Sequence, residues 1–181
     1  KTYVVPDDLS LSQASLIEPL AVGEHNLDQV DASADDSLII FGAGTIGLCT
    51  LLDARARGME EILITDIKDY NLDMAEKLGA KYTVNVSESG ETLEGAVREA
   101  FGPEGADTAI LAVGKASIFR DALDLTRRDG RIVIVGMMHE KIELDLHEIG
   151  ATGKEKVVTG STVYTGKDFD RIISLIEQGK I

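Results

Sequence analysis

Two hydrophobic rhythms alternate along the chain. Short runs that are apolar almost throughout occur at residues 37–41 (SLIIF), 61–65 (EILIT), 82–86, 107–113 (DTAILAV), 131–135 (RIVIV) and 156–159. Between them, apolar residues recur every three or four positions. Examples are Ile46, Leu48, Leu51 and Leu52; Leu72, Ala75 and Leu78; Leu93, Ala96, Val97 and Ala100; Phe119, Ala122 and Leu123; and Phe169, Ile172, Ile173 and Ile176. The first rhythm predicts strands buried on both faces and the second predicts helices that cover them, which together mean a parallel sheet. Local signals punctuate the helices. Asp69 is expected to cap the second of these helices and Gly79 to end it, while Gly102 and Pro103 close the third. Ser117 is expected to cap the fourth, with Arg127 and Arg128 in its last turn, where the dipole favours cations. The predicted fold is α/β: a doubly wound, six-stranded parallel sheet in the order 3-2-1-4-5-6. Residues 1–31, with Pro6, Asp7 and Asp8 ahead of a mostly helical stretch, read as a leading segment packed on the edge of an α/β domain at 32–181.

Composition narrows the function classes. The 181 residues carry a formal charge of −14, which argues against nucleic acid or an anionic membrane as partner. A phosphate-bearing ligand would have to be held by backbone N–H groups rather than by Lys and Arg. Cys49 is the single cysteine, so neither an intrachain disulfide nor a cysteine-rich zinc site is available. His25, His139 and His147 lack ligand spacing to one another or to Cys49. No long apolar run and no signal-like start are present, and a cytoplasmic protein is expected. The first residue is not Met and the last follows a helix-stop glycine, so both ends look cut from something longer.

The chemistry concentrates in residues 42–47 (GAGTIG), which follow the first strand directly and open the first amphipathic helix. In a G-x-G-x-x-G turn, Gly42 permits the tight bend. Gly44 lets the backbone approach a pyrophosphate, and Gly47 lets the helix lie close to the sheet. Phosphates would meet the N–H groups and the positive dipole at the helix start. Asp66 ends the second strand, where a carboxylate accepts hydrogen bonds from ribose hydroxyls and repels a 2′-phosphate. NAD is therefore the expected cofactor, with Lys68 placed to soften the preference over NADP.

These residues resemble the medium-chain dehydrogenase superfamily, and within it the zinc-containing sorbitol, butanediol and threonine dehydrogenases. The matching runs are ASLIEPLAV (14–22), FGAGTIGL, ITDI, AEKLGA, DGRIVIVGM and GSTVYTGKDF. The resemblance implies the coenzyme-binding half of a two-domain enzyme that moves hydride between a secondary alcohol and NAD. It places the zinc ligands and proton relay in a catalytic domain largely absent from this chain, which alone is expected to be inactive. By the resemblance, Glu18 lies at or beside the catalytic zinc, although by position it is equally a first-turn acid that complements a helix dipole. Thr45 belongs to the glycine turn, and Ile46 would touch the nicotinamide. Val135, Gly136 and Met137 would meet its carboxamide, Ala112 and Val113 would lie beside the cofactor, and Ser161 and Thr162 would flank the ring. Departures from the family pattern occur at Asn71, at Ala112-Val113 and at Val163. The last turns the expectation from sorbitol towards a simpler alcohol, diol or amino alcohol. Two other readings stay open: a stand-alone NAD(H)-binding or redox-sensing module, and a zinc-free reductase of the same superfamily. The sixth strand, apolar and last in the sheet, is an exposed edge expected to pair with its copy in a homo-oligomer.

Overall fold

The computed structural model describes all residues except 1, 8, 88–92, 146, 148 and 151–154; Asp8 of the leading segment lies outside this set. Two helices come first, α1 (Leu11–Ala14) and α2 (Ile17–Asp28). Strand and helix then alternate: β1 (Leu38–Phe41), α3 (Thr45–Ala56), β2 (Ile62–Asp66), α4 (Asp69–Lys77), β3 (Tyr82–Asn85), α5 (Leu93–Phe101), β4 (Ala106–Leu111), α6 (Ala116–Leu125) and β5 (Thr126–Ile134). The chain continues with β6 (Val157–Gly160) and α7 (Gly166–Glu177). All strand pairs are parallel, and the sheet order is β3-β2-β1-β4-β5-β6, as expected.

Two-sided burial of β1 explains why its apolar run lacks alternation. Leu38 and Ile40 enter one cluster with Leu51, Ala54, Ile62, Ile64 and Leu72, beneath α3 and α4. Ile39 and Phe41 enter the other with Leu63, Val97, Phe119 and Leu123, beneath α5 and α6. Each fully buried side chain of this size contributes roughly 1.5–3 kcal/mol. A third cluster joins α2, α3 and α7 through Ile17, Leu20, Ala21, Cys49, Ile172 and Leu175.

Three local expectations are corrected. Arg127 and Arg128 lie at the start of β5, not in the last turn of α6. The helix stops at Leu125, where the Thr126 hydroxyl donates to the Ala122 carbonyl (2.8 Å), and Arg127 pairs with Asp107 and Arg128 with Glu155. Asp129 takes a left-handed φ of 59° in the bulge that follows. Asp69 is the first residue of α4 rather than its cap, a place taken by extended Lys68. Ser117 likewise lies inside α6: Lys115 is the cap residue, and the Glu140 carboxylate, arriving from the β5–β6 connection, accepts from the Ala116 N–H at 2.9 Å. A distant carboxylate has done what a local hydroxyl was expected to do.

Candidate dinucleotide site

Parallel strands leave all their carboxyl ends on one edge of the sheet, so the turns after β1, β2, β4, β5 and β6 converge there. The glycine turn is shaped by two contacts that no side chain could share. Gly42 has φ +101°, and a Cβ on it would lie 2.4 Å from Cγ2 of Val113. A Cβ on Gly47 would lie 1.8 Å from the Gly42 carbonyl oxygen. A Cβ on Gly44, by contrast, would meet nothing within 4 Å. The space over Gly44 is open, so the chain's own fold does not demand glycine there. Gly44 is also the N-cap of α3 and provides no side-chain hydrogen bond to it. Gly44 and Thr45 are exposed and Ile46 is half-buried. The result is a bare helix N-terminus under an open backbone cradle, which suits an anionic group.

Asp66 sits beside this cradle. Its Oδ2 accepts from the Ala43 N–H at 2.8 Å, and its Oδ1 accepts from the N–H groups of Ile67 (2.8 Å) and Lys68 (3.0 Å). The acid is thus tied both to its own strand end and to the middle of the glycine turn. Sequence spacing pointed to Asp66 but gave no sign of the Ala43 contact, which spans 23 positions.

The turns after β4 and β5 lock into each other. The Leu111 carbonyl accepts from both the Val135 N–H (3.1 Å) and the Gly136 N–H (2.9 Å). The Ala112 N–H donates to the Phe41 carbonyl at 3.0 Å. A Cβ on Gly136 would lie 2.5 Å from the Val113 carbonyl carbon, and one on Gly114 would lie 2.0 Å from the Met137 carbonyl oxygen. Gly114 was not singled out from sequence; its pairing with the V-G-M exit shows only in three dimensions. Met137 is exposed. The Ser161 N–H donates to Ile134 at 2.9 Å, while its buried hydroxyl has no partner. Thr162 is exposed, and Val163 has a left-handed φ of 55°.

Glu18 is exposed in the first turn of α2. Its charge, behind burial and Asp53, helps push the Cys49 thiol up to about 12. Among the described residues no group of three or more His, Cys, Asp or Glu could hold a metal ion. His25 instead contacts Asp168 at 3.0 Å. Among the described residues no helix is long and apolar enough to cross a membrane.

Comparison with known proteins agrees with this geometry. A family model described as zinc-binding dehydrogenase matches residues 45–178. L-threonine 3-dehydrogenase of Shewanella sediminis is 31% identical over 184 residues, an alignment covering 95% of this chain and 53% of that protein. An alcohol dehydrogenase of Escherichia coli CFT073 complexed with NADH superposes with a TM-score of 0.88 at 25% identity, covering 99% of this chain and 51% of that one. A protein of Sinorhizobium meliloti 1021 described as a zinc-binding dehydrogenase, bound to NADP, superposes with a TM-score of 0.88 at 28% identity, covering 99% and 52%. The chain spans about half the length of the curated relatives it matches. On these findings the chain belongs to the zinc-binding dehydrogenase family.

Proposed function

We propose that this chain is the NAD-binding part of an alcohol dehydrogenase acting on a secondary alcohol, diol, polyol or amino alcohol. The observation that carries the reading is the bare start of α3 beneath an open glycine turn, with Asp66 tied to that turn through the Ala43 N–H. Bound nicotinamide dinucleotide would supply a hydride acceptor and donor. The chain's own contribution is to bind and orient it. N–H groups from Gly44 to Gly47 face the pyrophosphate, and Asp66 takes the adenosine ribose. Ile46, Ala112, Val113, Val135, Gly136, Met137, Ser161 and Thr162 surround the nicotinamide end. A similar structure holds NADH and another holds NADP. Asp66 supports NAD, because its carboxylate would repel a 2′-phosphate.

Glu18 would face a zinc ion held by residues outside this chain. One carboxylate is not a zinc site. Residues 1–31 act as the lead from that part of the protein into the domain at 32–181. Cytoplasmic residence belongs to the same reading, resting on the sequence features above. So does a homo-oligomer paired through β6, whose outer edge has no strand partner in the sheet and carries Val157, 51% exposed. Val158 packs partly into the core, so Val157→Lys with Val163→Lys is the pair that tests the edge by sedimentation. The central test is titration of NADH and NADPH against the wild type and Asp66→Ala. The variant should bind NADH roughly 10- to 150-fold more weakly and narrow its gap to NADPH, as loss of charge-assisted bonding worth roughly 1.5–3 kcal/mol requires. Unchanged NADH affinity would refute the ribose role.

A further inference from the structure

Where α2 crosses α3, a carboxyl group lies inside the protein without a cation paired to it. Asp53 is fully buried and neither of its oxygens has a hydrogen-bond partner. It sits directly beneath Gly23: a Cβ there would lie 2.3 Å from Asp53 Oδ2 and 2.8 Å from the Thr50 nitrogen. The charges around it are already matched. On α2, Glu24 is 4% exposed and pairs with Arg57 at 2.8 Å, and Asp28 also pairs with Arg57. Arg57, at the end of α3, further donates to the Ala32 carbonyl. From α7, Arg171 reaches Glu24 at 3.6 Å, and Asp168 takes His25 of α2. Two arginines thus face Glu24 and Asp28, and none is left for Asp53. Its remaining titratable neighbour, Cys49, carries a thiol pushed up to about 12, first by burial and then by Asp53 and Glu18. An isolated buried carboxylate is so unfavourable that such a group takes up a proton instead.

We propose that Asp53 is carried as a neutral carboxylic acid beneath Gly23, and that its proton is the latch that keeps α2 seated on α3. The arrangement links two parts of the fold: α2 begins with Glu18 in its first turn, and α3 begins in the glycine turn. A hollow of about 500 Å³, lined by Glu24, Asp28, Arg57, Lys167 and Arg171, borders the crossing on the Glu24 side and does not reach Asp53. The latch does not depend on the cofactor reading.

Direction follows from linkage. Burial, then the Glu24 charge, raises the Asp53 carboxyl well above its usual range, against the opposing effect of Arg57 and the Glu24 amide. A raised native-state carboxyl stabilises fully below the ordinary carboxylate range and loses that stabilisation as pH rises towards its native value. The experiment is urea unfolding of the wild type, Asp53→Asn and Asp53→Ala from pH 5.5 to 9. Across the window in which Asp53 is protonated only in the folded protein, the wild-type folding constant should fall by about tenfold per pH unit relative to either variant. Two variants are used so that one of them folding suffices, and only the slope is read. Parallel curves for the wild type and a folded variant would overturn the proposal. A purely structural aspartate would shift both curves without changing their slopes.

Discussion

Asp66 lies beside the glycine turn and Asp53 beneath Gly23, yet the protein treats them in opposite ways. Asp66, at the open edge of the sheet, accepts three backbone N–H bonds and links β2 to the glycine turn. Asp53, under Gly23, is buried with no partner for either oxygen. The same side chain is thus a three-fold acceptor where donors converge and, on our proposal, a neutral acid where they do not. What separates the two is the supply of donors and cations rather than depth alone. Glu24 is almost as buried as Asp53, but Arg57 answers it.

The largest expected effect comes from removing that answer. Arg57→Ala would leave the buried Glu24 with only the longer Arg171 contact at 3.6 Å and strip a partner from Asp28. Breaking a buried pair on one side costs about 3–5 kcal/mol, to be read from urea unfolding. Burial raises the Glu24 carboxyl even with Arg57 opposing it, so proton uptake by Glu24 offers relief in acid. The loss should be greater at pH 8 than at pH 5. A loss under 1 kcal/mol at both would mean that the α2–α3 crossing is open to water, and the contrast with Asp66 would collapse.

On the other side of the comparison, two glycines of one turn should part company. Gly47→Ala drives a Cβ into the Gly42 carbonyl, a backbone clash that cannot be relieved by a rotamer. It should destabilise by about 1–3 kcal/mol, although Gly→Ala inside a helix otherwise stabilises. Gly44→Ala meets nothing within 4 Å and should leave folding within about 0.5 kcal/mol. Its NADH affinity should still drop about tenfold or more, because the added methyl enters the open cradle. Full NADH binding by Gly44→Ala would show that the cradle is not where the pyrophosphate lies.

How much of this was legible in sequence depends on range. The strands announced themselves because both faces of β1 are buried, and the glycine turn announced itself because all its parts lie within six residues. Asp66 was found by its place after β2, but its bond to Ala43 was not, since no local signal marks a contact between two turns. Neither Gly23 nor Asp53 carries a local signal of their contact, which joins α2 to α3. Arg127 and Arg128 were assigned to a helix end by the dipole rule. Asp107 and Glu155, both distant in sequence, drew them into β5 instead.

Asp107 is the intermediate case, and it yields the smallest effect. Burial would push its carboxyl up, but the Ser37 hydroxyl and amide, with Arg127, hold it below the usual carboxylate range. The Ser37 hydroxyl donates to Asp107 Oδ2 at 2.6 Å and accepts from the Asp107 N–H at 3.0 Å, while the Ser37 N–H reaches the same Oδ2 at 2.8 Å. Ser37→Ala removes the first two bonds and keeps the third, so at pH 7 it should cost about 1–2 kcal/mol. The sign is opposite to that for Asp53. A lowered carboxyl stabilises above the ordinary carboxylate range and loses that stabilisation as pH falls through its native value. The gap between the wild type and Ser37→Ala should therefore be widest at neutral pH and narrow as pH falls below the ordinary carboxylate range towards the native value of Asp107. Unfolding curves at pH 3 and pH 7 decide it. A gap that widens in acid would show that the hydroxyl serves the Asp107 N–H alone, and that Asp107, like Asp53, depends less on its donors than its geometry implies.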